Sequence, residues 1–149
     1  MPASAQADDH GRIAQEFVKA LGSADLEVLK KMYADNVILM AGSELLKDEW
    51  GLVANGPRDK DALLAREKLI EGYGNLIARI GKEKWQALFG KLDTDRITTA
   101  TLAEDRPPFL KKGDLTVSVR PGRGDDTLTY HFRKSADGKW LVVAEKTDY

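Results

Sequence analysis

Few residues in this chain of 149 could carry chemistry. Cysteine is absent, and histidine occurs only as His10 and His131. Disulfides, thiolate catalysis and cysteine–zinc sites are therefore excluded, and the nitrogen and sulfur ligands that favour transition metals are too sparse for a site. No metal and no cofactor is expected. Carboxylates and phenols remain. Glu145 stands in the run KWLVVAEKT, and Tyr130 and His131 stand in DTLTYHF. A carboxylate desolvated among apolar neighbours gains a raised pKa and can act as a general acid or base. A phenol beside it can donate a hydrogen bond.

The other candidates have simpler readings. DTD at residues 93–95 offers oxygen ligands for a divalent cation, but acids just ahead of a strand are commonly solvated turn residues. RGD at residues 123–125 falls where a hairpin turn favours glycine and aspartate in any case. GYG at residues 72–74 lies within a helical pattern and lacks the strand context of a nucleotide loop. Trp50, with Glu44 and Glu49, could form a lid or simply anchor a surface loop.

The elements that must position these residues follow from periodicity. Ile13, Phe17, Ala20 and Leu21 recur at helical spacing, and Gly22 and Ser23 read as a stop and a new cap. Leu26, Leu29 and Tyr33 form the stripe of a second helix, which Asp35 and Asn36 should end. Val37 to Ala41 then reads as a short strand. Gly56-Pro57 marks a turn, and a long amphipathic helix is expected from about Asp59 to Ile80, carrying Leu69 and Tyr73 on its apolar side. A short helix holds Trp85, Leu88 and Phe89. After Asp93 the pattern changes to period two in RITTATL, DLTVSVR, DTLTYHF and KWLVVAEKT. Helices followed by a meander imply an α+β domain whose sheet buries one face on the helices, with the lone early strand joining its edge.

Bulk properties narrow the function classes. Net charge is −1, with acids and bases interspersed, so no nucleic-acid partner is expected. No apolar run approaches the roughly 20 residues that span a bilayer, so no membrane partner is expected either. Residues 1–9 read as a disordered or processed tail ahead of a single domain over 10–149. The compartment stays open between cytoplasmic and, if ASAQA followed by Asp8 is the remnant of a signal junction, secreted or periplasmic.

The pattern EFVKALGSADLEVLKKMYADNV, the stretch GPRDKDAL and the terminal hairpin YHFRKSADGKWLVVAEKTDY together resemble the cone-shaped family of nuclear transport factor 2, ketosteroid isomerase and the SnoaL-like cyclases. The resemblance covers nearly the whole chain from His10. It implies a cystatin-like cone, with a strongly bent, mostly antiparallel sheet wrapped around a long helix and the helices N-terminal. It also implies an apolar pocket between sheet and helices. The positions that carry the isomerase's tyrosine, base and acid fall on Phe17, Ala41 and Tyr130. Phenylalanine donates no hydrogen bond and alanine accepts no proton, so the isomerase mechanism is not supported.

Alignment of the last hairpin to the family places Leu141, Val143, Glu145 and Thr147 inside, and Trp140, Val142 and Ala144 outside. Leu128, Tyr130 and Phe132 share one face by strand alternation, with His131 and Arg133 on the other. The expected lining is Phe17, Leu39, Ala41, Tyr73, Val117, Phe132, Val143 and Thr147, with Glu145 and Tyr130 as the reactive pair. Three functions are open. The first is binding of a small apolar or amphipathic molecule. The second is proton-transfer chemistry of an isomerase, dehydratase or cyclase, a lyase or isomerase working by general acid–base catalysis. The third is an association module, a homodimer through the apolar outer sheet face.

Overall fold

The computed structural model describes residues 2–46, 60–89, 96–121 and 127–147. Trp50 and Glu49, Gly56-Pro57, the DTD motif and the RGD motif lie outside them. The elements run α1 (Pro2–Ser23), α2 (Leu26–Lys30), β1 (Tyr33–Leu39), a 3-10 turn (Glu44–Leu46), β2 (Ala62–Ala65), α3 (Arg66–Ile80), α4 (Lys82–Phe89), β3 (Ile97–Thr101), β4 (Leu115–Val119), β5 (Leu128–Lys134) and β6 (Trp140–Lys146). Residues 2–9, read from sequence as a tail, continue α1.

The six strands form one sheet in the order β2-β1-β6-β5-β4-β3. Only the β1–β6 pair is parallel. The early strand therefore joins the later sheet, but beside β6 and covered on its other edge by β2, not at the margin. Ala62–Ala65 was expected to open the long helix; it pairs with β1 from Asn36↔Ala65 to Leu39↔Ala62 instead. Its Ala-Leu-Leu-Ala composition suits a helix, and cross-strand pairing overrides that propensity.

Local chemistry explains the helix ends. Asp25, rather than Ser23, caps α2, accepting from the N–H groups of Glu27 and Val28 at 3.1 and 3.4 Å. The strand begins at Tyr33, earlier than the turn residues suggested. Asp35 and Asn36 are exposed inside β1, where the ladder to β6 jumps from Tyr33↔Val142 to Ile38↔Ala144. α3 stops at Gly81, whose φ of +100° suits glycine and whose N–H donates to the Ile77 carbonyl at 2.8 Å. Gly74 lets α2 approach α3 closely, since a Cβ there would lie 3.1 Å from the Leu26 side chain.

One core fills the space between sheet and helices. It contains Phe17 and Leu21 of α1, Leu69, Tyr73 and Leu76 of α3, Trp85 and Phe89 of α4, and Val117, Tyr130, Phe132 and Val142 of the sheet. Trp85 Nε1 donates to the Leu21 carbonyl at 2.6 Å, which ties α4 to α1. Among the described residues no helix is long and apolar enough to cross a membrane.

The register of β5 and β6 corrects the expected facing of the last strand. Tyr130 pairs with Glu145 and His131 with Ala144, but Phe132 pairs with Val142, so Val143 is an extra residue. Val142 is fully buried in the core, whereas Val143 is half-buried and belongs to neither apolar cluster. Leu141 and Val143 were expected inside, and Trp140 and Val142 outside; the bulge reverses them, so that Leu141 lies opposite Arg133 and Trp140 packs against the core. Ala144 does face outward, but residues 102–114 fold over it. Leu102, Leu110 and Ala144 make a second buried cluster, with Phe109, Ile38 and Met40 packed against it. The apolar patch on which the dimer expectation rested is not assembled by these residues: Val142 lies in the core, Trp140 packs half-buried against it, and Ala144 lies beneath the chain's own segment.

Candidate functional site

The site is built on β6, where the bulge sets the phase. Val142 and Glu145 are three residues apart, and strict alternation would put them on opposite faces. The extra residue Val143 allows both to face the interior. Glu145 is fully buried, directly opposite Tyr130 on β5 and Leu39 on β1. Its hydrogen-bond donors come from two other elements. Tyr33 Oη, at the start of β1, donates to Glu145 Oε1 at 2.6 Å. Tyr73 Oη, from the middle of α3, donates to Glu145 Oε2 at 2.5 Å. The two phenol oxygens lie 3.3 Å apart. Both tyrosines are fully buried.

The proton count in this cluster is informative. With Glu145 ionised, two phenol protons serve the two contacts to the carboxylate and none is left for the tyrosine–tyrosine contact. With Glu145 protonated there are three protons for three contacts. The carboxyl can then donate to one phenol, that phenol to the other, and the second back to the carboxyl. The neutral state therefore closes a ring. Burial pushes the Glu145 carboxyl up to about 7, while the hydrogen bonds from Tyr33 and Tyr73 favour the charged form and hold it from rising further. Near neutrality the group exchanges its proton with little free-energy cost, as a general acid or base requires.

Aromatic rings surround the cluster. The Phe17 ring centroid lies 4.6 Å from Tyr130, 5.1 Å from Phe132 and 6.0 Å from Tyr33. Tyr73 lies 6.3 Å from Tyr33 and 6.4 Å from Trp85. Of the expected lining, Phe17, Leu39, Tyr73, Val117, Phe132 and Thr147 are fully buried; Ala41 and Val143 are only half-buried. Ala41 lies beyond the end of β1, where its N–H donates to Asp61 Oδ1 at 2.8 Å. Tyr130, the expected hydrogen-bond donor, faces the same interior, but the donors to the carboxylate are Tyr33 and Tyr73.

Tyr33 is the member of the Glu145 cluster that sequence reasoning missed. It fitted the helical stripe of Leu26 and Leu29 and was assigned to core packing there. Alternation alone does not give its facing, because counting back by twos from Leu39 passes through the exposed Asp35 and across the break in the ladder.

Beyond β6 the polar interior continues to Thr147. The Glu145 and Thr147 carbonyls both accept from the β1 side, from the N–H groups of Met40 at 2.8 Å and Glu44 at 2.7 Å. The strand phase is thus kept, and Thr147 shares the inner face with Glu145. Thr147 N–H donates to the buried Ser43 hydroxyl at 3.3 Å, whereas Thr147 Oγ1 is buried with no hydrogen-bond partner among the described residues.

His131 lies on the other face of the sheet, buried beneath residues 102–114, with Nδ1 3.0 Å from Thr116 Oγ1. Desolvation holds its pKa below the usual range, against the opposing pull of Asp114. Asp114 is itself clamped by Arg133, through Nε to Oδ1 at 2.9 Å and Nη2 to Oδ2 at 2.8 Å. His131 is thus separated from Glu145 by the sheet. Among the described residues no cluster of three or more histidine or acidic side chains could hold a metal ion.

No protein-family model matches the chain, and no curated protein matches it. Among solved structures it is similar to a designed protein of the nuclear transport factor 2 fold, with a TM-score of 0.50 over 96% of this chain and 99% of the designed one. The two sequences are 19% identical, so the likeness concerns the fold. The architecture is that of a nuclear-transport-factor-2-like cone, an α+β fold with a bent six-stranded sheet.

Proposed function

We propose that the chain is a SnoaL-like small-molecule-binding protein, with an apolar or amphipathic ligand held in the cone against the Tyr33–Glu145–Tyr73 cluster. One observation carries the reading: a carboxylate buried in an otherwise apolar interior is supplied with two phenol donors from separate elements. Packing alone does not call for that arrangement, since valine would fill the place without a desolvation cost. A few convergent polar groups in an apolar cone are what a small-molecule site needs for orientation. The test is mass spectrometry of the protein purified without denaturation, followed by organic extraction. A stoichiometric apolar molecule that co-purifies supports the reading; a protein that carries nothing and binds nothing from a library of apolar compounds removes it.

A second reading is favoured by the Glu145 carboxyl standing at about 7. Glu145 would move a proton to or from a bound substrate, in an isomerase- or lyase-type reaction, with Tyr33 and Tyr73 holding the charge it gains or loses. Its signature is exchange of a carbon-bound proton of the ligand with deuterated water, catalysed by the protein and not by Glu145→Gln. The homodimer reading has no comparable support, because Val142 lies in the core and Ala144 packs beneath Leu102 and Leu110.

A further inference from the structure

Resting on the proposed ligand-binding cone, we infer that Thr147 Oγ1 is a ligand contact and that the ligand is an uncharged amphipathic molecule carrying a hydroxyl or carbonyl oxygen. Thr147 is fully buried, and its hydroxyl has no partner among the described residues. Buried hydroxyls are almost always hydrogen-bonded, so an orphaned one marks a place where a partner belongs. The hydroxyl shares the inner face of the last strand with Glu145, about 7 Å along it at two residues' rise. An apolar molecule lying along β6 would set its polar end at the Thr147 hydroxyl and its body toward Glu145.

Charge decides the class. The buried polar and charged residues described are Ser43, Asp114, His131, Glu145 and Thr147. Asp114 and His131 belong to the opposite face, and no lysine or arginine is among the buried set. An anionic ligand such as a fatty acid would bring a second carboxylate next to Glu145 with no fully buried cation described beside it, the half-buried Arg66 reaching the Tyr33 carbonyl at 3.5 Å, and both carboxylates would resist desolvation. An uncharged oxygen avoids that conflict. It can accept from the Thr147 hydroxyl and, if it is itself a hydroxyl, donate in return.

The experiment uses matched probes of three sizes, each as alcohol, hydrocarbon and carboxylate: the cyclohexyl, naphthyl and decyl series. Their binding to the full chain is measured by calorimetry at pH 7, with Thr147→Val and Thr147→Ser in parallel. In the series that fits, the alcohol should bind the wild type about five- to tenfold more tightly than the hydrocarbon, the effect of one buried hydrogen bond. The carboxylate should bind most weakly. Thr147→Val should erase the alcohol's advantage while leaving hydrocarbon affinity unchanged, and Thr147→Ser should restore it. An advantage that survives Thr147→Val overturns the contact while leaving the cone reading intact. Preference for the carboxylate overturns the ligand class. Failure of all nine probes to bind overturns the inference together with the binding reading on which it rests.

Discussion

Replacing Glu145 by glutamine should stabilise the protein at alkaline pH and hardly change it in acid. Glutamine is isosteric with the protonated carboxyl, and its amide can donate to one phenol while its carbonyl accepts from the other, which preserves the neutral ring. In the wild type the carboxyl stands at about 7 when folded, against an ordinary 4.5. The sign follows directly. Below about 4.5 the group is protonated in both states and the neutral ring is fully available. As pH rises, the unfolded chain releases its proton first, and stability falls until the folded group also ionises near 7. At roughly 1.4 kcal/mol per pH unit, the wild type should lose about 3 kcal/mol between pH 4 and pH 8 from this group. The other titrating groups are shared by both proteins, so subtracting the two stability curves isolates the contribution. Urea denaturation across that range should show the advantage of Glu145→Gln growing by about 3 kcal/mol. A difference that stays flat, or a variant that is less stable at pH 8 than the wild type, would refute the buried, easily protonated carboxyl and with it the acid–base reading.

The remaining predictions concern the groups around it. Tyr33→Phe and Tyr73→Phe each remove a hydrogen bond to the charged form and should cost about 1.5–3 kcal/mol at pH 8, less at pH 5, when followed by the same denaturation. Val142→Ala should cost about 2 kcal/mol as a core truncation, and Val143→Ala less than half of that, because only the former side chain lies in the core. Asp114→Ala should release residues 102–114 from Arg133; hydrogen exchange should quicken at the amides of Lys111 and Leu102 and stay slow in β5 and β6.

Much of the architecture was readable because each long element carried its own period. The alternating runs after Asp93 became β3 to β6, and the apolar stripe through Leu69, Tyr73 and Leu76 became the inner face of α3. Ala62–Ala65 was misread because four good helix formers in a row say nothing of a partner strand; the pairing with β1 is a tertiary fact. Leu63, 68% exposed on that edge, carries no signal of facing either. Glu145 was found through the alignment of the last hairpin to the family, which placed Glu145, Ala144 and Thr147 correctly and Trp140, Leu141, Val142 and Val143 wrongly.

The bulge at Val143 explains that mixed result. From Glu145 outward to Thr147 the ladder is regular, so alternation counted from the family position holds. From Glu145 inward, one extra residue intervenes before Val142, and every facing beyond it changes sign. Both residues at the slip are valine, so no change of side-chain character betrays it. The ladder of β1 is also irregular at this level, passing from Tyr33 to Ile38 while β6 passes from Val142 to Ala144. Two neighbouring strands thus break register at one place, and bulges bend the strands that carry them. Tyr33 lies on one side of that break and Leu39, opposite Glu145, on the other. The same irregularity that hid the facing of β6 brings the Tyr33 hydroxyl to the carboxylate from a residue that pairs with Val142, three positions away. Position and chemistry of the site therefore depend on a feature of strand pairing, which a single sequence does not display.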